Sequence, residues 1–88
     1  MPGRFTVKLT PSFQKDLEDL PRREQERILA ALKRLESDPF GPPPHVKKLR
    51  SEGVGRWRLR VGFYRVRYDV TGQDVVLYRV RHRKDIYK

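Results

Sequence analysis

The chain of 88 residues has no cysteine, one methionine, one tryptophan and two histidines. Without thiols there is no disulfide framework and no thiolate metal site, which suits a reducing compartment. The carboxylates of the second half (Glu52, Asp69, Asp74, Asp85) are scattered rather than set at ligand spacing, so no metal site and no cofactor is expected. No apolar run approaches a membrane span. The opening Met-Pro-Gly-Arg-Phe-Thr-Val lacks the apolar core of a signal peptide, so a cytoplasmic location is expected. A glycine-rich phosphate loop is missing, which removes nucleotide hydrolysis. Serine occurs at Ser12, Ser37 and Ser51, none beside a histidine, so a nucleophilic triad has no basis. There is no internal repeat. The length admits one domain, spanning 1–88, with a modest core.

The second half is also poor in acid. Residues 1–44 carry eight Lys and Arg against seven Asp and Glu, whereas residues 45–88 carry thirteen against four, a net of +9 out of +10. An asymmetry of that size points to a polyanionic partner, nucleic acid first and an acidic protein second. A membrane surface fits less well, because the charge lies on expected strands and no amphipathic helix face accompanies it.

From Gly55 to Tyr87 apolar and basic residues alternate, the period-two signature of strands with one buried face. Trp57, Leu59 and Val61 point one way and Arg56, Arg58 and Arg60 the other. After Gly62-Phe63, residues Tyr64, Val66, Tyr68 and Val70 alternate with Arg65 and Arg67. Thr71-Gly72-Gln73 is a turn. In the following strand Val76, Tyr78 and Val80 share one face, with Val75, Leu77, Arg79 and Arg81 on the other, so this strand is expected inside the sheet. Upstream, Phe5, Val7 and Leu9 read as the inward face of a first strand. Thr10-Pro11 opens a short helix carrying Phe13, Leu17 and Leu20. Pro21 separates it from a longer helix, Arg22 to Ser37, with Ile28, Ala31, Leu32 and Leu35 buried and Arg22, Arg23, Glu24, Glu26, Lys33 and Arg34 wet. Asp38 to Pro44 is a stiff proline-rich connector, and His45 to Arg50 a basic loop. The expected fold is α+β: an N-terminal strand, a helical hairpin and a three-stranded antiparallel meander. Helices cover one sheet face and the other is open and basic.

The outward residues are almost all arginine, the side chain best shaped to hold phosphate through paired hydrogen bonds. With lysine, histidine and tyrosine nearby, such a surface can assist metal-free RNA cleavage, in which the 2′-hydroxyl attacks the adjacent phosphate and guanidinium groups stabilise the developing charge. Tyr64, Tyr68 and Tyr78 read as core residues with hydroxyls at its edge, and Trp57 as core. His45 reads as a surface loop residue. Phe63 has two readings: its ring folds over the core edge, or it stays outside and stacks on a nucleobase.

Lys47-Lys48-Leu49, the Trp-Arg-Leu-Arg-Val-Gly run from Trp57, Tyr64-Arg65-Val66 and the closing His-Arg-Lys-Asp-Ile-Tyr from His82 resemble the RelE/ParE toxin superfamily, on its RelE side. The resemblance implies a ribosome-dependent toxin of a type II toxin–antitoxin system. It cuts messenger RNA without metal, leaves a 2′,3′-cyclic phosphate and inhibits translation. An acidic, partly helical antitoxin silences it, and its other partners are the ribosome and messenger RNA. The catalytic set implied is Arg58, Arg60, Arg65, Arg81 and Tyr87, with Lys47, Lys48, Arg56, Phe63, His82, Arg83 and Lys84 contacting RNA. The second catalytic arginine falls at Arg81 or Arg83. Arg58 and Arg60 stand where a well-studied branch has two lysines. Arginine does not accept a proton, so the base is His82, Tyr87 or a group of the ribosome. Two other functions stay open: a ParE-like, non-enzymatic gyrase inhibitor, and an inactive relative that only binds an antitoxin.

Overall fold

The computed structural model describes residues 4–50, 53 and 55–86. Strand β1 (Thr6–Leu9) leads into helices α1 (Pro11–Glu18) and α2 (Arg22–Ser37), followed by β2 (Val46–Lys48), β3 (Trp57–Val61), β4 (Tyr64–Thr71) and β5 (Asp74–His82). The Thr10 hydroxyl accepts the Phe13 N–H at 3.2 Å, and Pro11 fills the first helical turn, where a missing N–H costs nothing. The expected helical hairpin is present.

The five strands lie in the order β1-β5-β4-β3-β2. β3, β4 and β5 form the expected antiparallel meander, and β1 pairs parallel to β5 once the helices have carried the chain across. The stretch expected as a basic loop contributes an edge strand instead, with Val46 opposite Leu59 and 2% exposed. Three residues with one apolar side chain show no period, so this strand is set by tertiary pairing: Arg60 donates its N–H to the His45 carbonyl at 2.7 Å.

Val61 and Tyr64 close the β3–β4 hairpin across the two-residue turn Gly62-Phe63. Gly62 has a φ of 58°, the left-handed value that a primed hairpin turn demands at its first central position.

Between β4 and β5 the register slips. Arg67 pairs with Arg79 but Tyr68 pairs with Leu77, leaving Tyr78 as an extra, bulged residue. One extra residue exchanges the two faces beyond it. Val75, Leu77 and Val80 are therefore the core residues of β5, and the expected common face of Val76, Tyr78 and Val80 does not exist.

The core joins Phe13, Leu17, Ile28, Leu32 and Leu35 of the helices to Leu59, Val66, Tyr68, Leu77 and Val80 of the sheet. Tyr68 is a core residue as expected, but its hydroxyl is buried rather than at the core's edge and donates to the Pro39 carbonyl at 2.6 Å. Burial, with the Asp38 carboxylate adding to it, pushes this phenol above its ordinary value against a smaller opposing pull from Arg58. Trp57 lies on the core side, edge-on to Phe40, which in turn packs edge-on against Phe5. Leu9 departs from expectation: it is 38% exposed at the end of β1, in a shallow apolar concavity that it shares with Leu29 and Leu32 of α2.

Candidate functional site

Strand register assembles seven cations of the second half into two rows on the face away from the core. Arg60, Arg65 and Arg81 are successive cross-strand partners on β3, β4 and β5. One step along, Lys47, Arg58, Arg67 and Arg79 form a row across four strands. Opposed side chains stand about 5 Å apart at Cβ, and like charges there repel. Nothing in the folding of a sheet calls for such stacking, so the charge is either held by protein acceptors or available to an outside anion.

Much of the second row is held. Arg79 grips Asp16 of α1 with both prongs, Nε at 2.8 Å and Nη2 at 3.1 Å. The same carboxylate accepts the Val80 N–H at 3.2 Å, just past the bulge. Arg67 turns its Nε and Nη2 onto the Gly55 carbonyl at 2.9 and 2.7 Å. Gly55 makes that close approach possible, since a Cβ there would lie 3.2 Å from Cβ of Arg67. Arg58 donates Nη2 to the Pro44 carbonyl at 3.0 Å, while its buried Nε has no acceptor.

The first row is differently placed. Arg60 is exposed. Arg65 lies along the hairpin end, with Nη1 at 2.9 Å from the Gly62 carbonyl and 3.0 Å from that of Tyr64. Arg81 reaches Asp16 only at 3.9 Å. Beside this row Phe63 is 62% exposed, so its ring does not fold over the core edge. It lies nearly parallel to the His82 ring, 16° between planes and 6.1 Å between centroids. The Arg83 guanidinium sits 5.6 Å above the Phe63 ring. Nδ1 of His82 accepts the Lys84 N–H at 3.2 Å, so in the neutral ring the proton resides on Nε2 and the imidazole offers a donor.

Two clefts flank this corner. One, of about 530 Å³, runs between α1 and the ends of β4 and β5, and mixes Arg81 and His82 with Asp16, Asp19 and Asp85. The other, of about 580 Å³, lies between α2 and the β3–β4 turn and brings Arg27, Arg34 and His45 to Arg60, Arg65 and Arg83, with no carboxylate in its lining. Sequence reading left Arg27 out and took Arg34 as merely wet. Their seven-residue spacing on one helix face was the available signal.

Other expected site residues fall elsewhere. Lys48 pairs with Trp57 and lies across the sheet from the arginines, its ammonium 5.9 Å from the indole centroid. Arg56 precedes β3, at the end away from the Gly62 turn, where its N–H is held by Asp69 at 2.7 Å. Lys84 is exposed in the turn after β5. Tyr87 lies outside the described residues. Among the described residues no His, Cys, Asp and Glu side chains gather to hold a metal, and no helix is long and apolar enough to cross a membrane.

Comparison with known proteins bears on this site. Residues 7–87 match the family described as the ParE toxin of type II toxin–antitoxin system, parDE. The chain is 39% identical over 88 residues to toxin RelG of Mycobacterium tuberculosis, covering 96% of this chain and 97% of that protein. It is 30% identical over 82 residues to toxin RelE3 of Methanocaldococcus jannaschii, covering 92% and 93%. Its fold is similar to that of the toxin chain in the crystal structure of the archaeal RelE–RelB complex from Pyrococcus horikoshii. There the TM-score is 0.76 and the identity 28%, over 93% of this chain and 98% of that one.

Proposed function

The chain belongs to the RelE/ParE superfamily of type II toxin–antitoxin toxins, on its RelE-like branch, and from that premise we propose that it is a ribosome-dependent endoribonuclease that cleaves messenger RNA without metal. The observation that carries this reading is the Arg60–Arg65–Arg81 row beside the exposed Phe63 ring and the half-buried His82. Guanidinium groups fixed on three neighbouring strands match the oxygens of a phosphoryl group that gains charge during attack by the 2′-hydroxyl. Arg65 sits on the central strand of the sheet, so it takes the phosphoryl oxygens, with Arg81 on the flank nearest Asp16.

With Nδ1 accepting the Lys84 N–H, the neutral His82 ring offers Nε2–H as a hydrogen-bond donor to a phosphate oxygen; the acid that protonates the departing 5′-oxygen is a His82 imidazolium or a group of the ribosome. Arg58 and Arg60 cannot take the proton from the 2′-hydroxyl. The base is then Tyr87, as the family resemblance suggests, or a group of the ribosome, and Tyr87→Phe separates the two. The reaction takes place where ribosomes work, in the cytoplasm. In the cell the chain pairs with an antitoxin, as the RelE of the RelE–RelB complex pairs with RelB. The net charge of +9 in residues 45–88 favours an acidic one.

A second reading has its own observation. The matching family is described by ParE, and the guanidiniums of Arg58, Arg67 and Arg79 are already engaged by protein acceptors, as a non-enzymatic inhibitor of DNA gyrase would allow. One experiment chooses between the two. Purified protein is incubated with programmed ribosomes and messenger RNA, and new 5′ ends are mapped by primer extension. Cleavage within the ribosome-bound codon supports the endoribonuclease. Intact RNA together with inhibited gyrase supercoiling supports the other.

A further inference from the structure

The cleft between α2 and the β3–β4 turn shares Arg60 and Arg65 with the proposed reacting row and adds Arg27 and Arg34, which the proposed chemistry does not use. Gly62 shows how it is built. Its carbonyl accepts Nη1 of Arg65 at 2.9 Å, and on its other side the Arg27 guanidinium packs so closely that a Cβ at Gly62 would meet Nη2 at 2.9 Å and Cζ at 3.0 Å. Two guanidiniums from different elements thus converge on one glycine. Arg34, two turns further along α2, and Arg83 line the same space. Arg27 meets the half-buried Glu24 only at 3.9 Å, with its own side chain more than half exposed, a distance at which an ion pair contributes little. The exposed Phe63 ring, with Arg83 on one side of it, forms the lip between this cleft and the arginine row.

We propose that this cleft binds the nucleotides flanking the cleaved step of a single-stranded RNA. The base stacks on Phe63, and successive phosphates lie between Arg27 and Arg65 and beside Arg34. This rests on the reading of the arginine row as an RNA-cleaving site and extends it around the end of the sheet onto a helix. A volume of about 580 Å³ admits a nucleotide. A lining of guanidiniums and one imidazole without a carboxylate suits its phosphates. An aromatic face accepts any base, so the subsite adds grip and register with little sequence preference. It also gives α2, otherwise a cover for the core, a part in holding the substrate.

The test uses the full chain and a fluorescent single-stranded RNA of twelve nucleotides, with affinity measured by anisotropy over a series of salt concentrations. Single-stranded binding loses about 0.7 in the slope of log K against log salt for each phosphate contact removed. The double variant Arg27→Ala/Arg34→Ala is therefore expected to flatten the slope by about 1.4. Phe63→Ser is expected to weaken binding about 5- to 150-fold with a nearly unchanged slope, since it removes stacking and no charge. Melting curves of each variant accompany the titrations, and Arg27→Gln/Arg34→Gln repeats the measurement with longer side chains should the alanine pair melt early. A parent that binds RNA with a steep slope, beside folded variants that bind it equally well, overturns the cleft and leaves the arginine row standing. A parent slope near zero overturns both.

Discussion

The two cation rows are made of the same residue type, on the same strands, one register step apart, and they do different things. In the row of Arg58, Arg67 and Arg79 the guanidiniums are spent on the protein: a proline carbonyl, a glycine carbonyl and a buried-side carboxylate. In the row of Arg60, Arg65 and Arg81, Nη1 of Arg65 meets the Gly62 and Tyr64 carbonyls at the hairpin end, and Arg81 reaches Asp16 only at 3.9 Å. Burial near the bulge and the fold-over of the Gly55 loop account for the contrast. One row lies where the chain returns over the sheet, the other at its free end beside Phe63. Alternation puts an arginine on a face. What that arginine does is decided by acceptors far away in sequence.

The largest effect that can break the comparison is on rate. Arg65→Ala should lower cleavage on programmed ribosomes about 10²–10³-fold, as loss of one preorganised donor does, while leaving ribosome affinity within a few-fold. If cleavage survives within a few-fold, the free-end row is not the reacting one. Stability should respond in the opposite sense. Asp16→Ala strands Arg79, Arg81 and the Val80 N–H together, and should cost about 2–3 kcal/mol, read as a fall in melting temperature of about 4–8 °C per kcal/mol. Arg67→Ala, which loses two bonds to Gly55, should cost about 1–2 kcal/mol. Arg60→Ala, which relieves like-charge crowding, should leave the melting temperature unchanged or raise it slightly. Equal destabilisation by Arg60→Ala and Arg67→Ala would erase the distinction between the rows.

How far this was readable in the sequence depends on range. The helix stripes, the Thr10 cap and the alternation of β3 and β4 are local patterns, and each places its residues where they are found. The parallel pairing of β1 with β5, the edge strand at Val46 and the bulge at Tyr78 have no local signature, because each exists through a partner strand. The same limit applies to the site. Arginines could be assigned to the outer face from spacing, and the family resemblance named a reacting set. That Asp16 holds Arg79, that Lys48 lies over Trp57 across the sheet, and that Arg27 joins the cleft all depend on α1, β2 and α2 docking against distant residues. Phe63 is the intermediate case. Its turn position was evident, but its neighbours were not, because His82 and Arg83 arrive beside it only through the pairing of β5 with β4.

A more gradual effect, read against pH, concerns Tyr68, which lies on the core side of β4, directly after Arg67. Its hydroxyl is buried against the Pro39 carbonyl, and burial raises its pKa in the folded chain. The sign is fixed by the neutral form being the one the fold favours. This contribution is fully present below the unfolded value of about 10, and it declines as pH rises beyond that, at about 1.4 kcal/mol per pH unit. Tyr68→Phe keeps the ring and leaves the Pro39 carbonyl without its donor. It should therefore start about 1–2 kcal/mol less stable than the parent at neutral pH. Above about pH 10 only the parent carries this extra loss, so denaturation curves of the two proteins should converge as the solution is made more alkaline. Phenolate absorbance gives an independent reading, because Tyr68 should ionise in step with unfolding. Curves that stay parallel into the alkaline range would mean that Tyr68 exchanges its proton without the core opening. The layer behind the protein-bound arginines would then be looser than their hydrogen bonds imply.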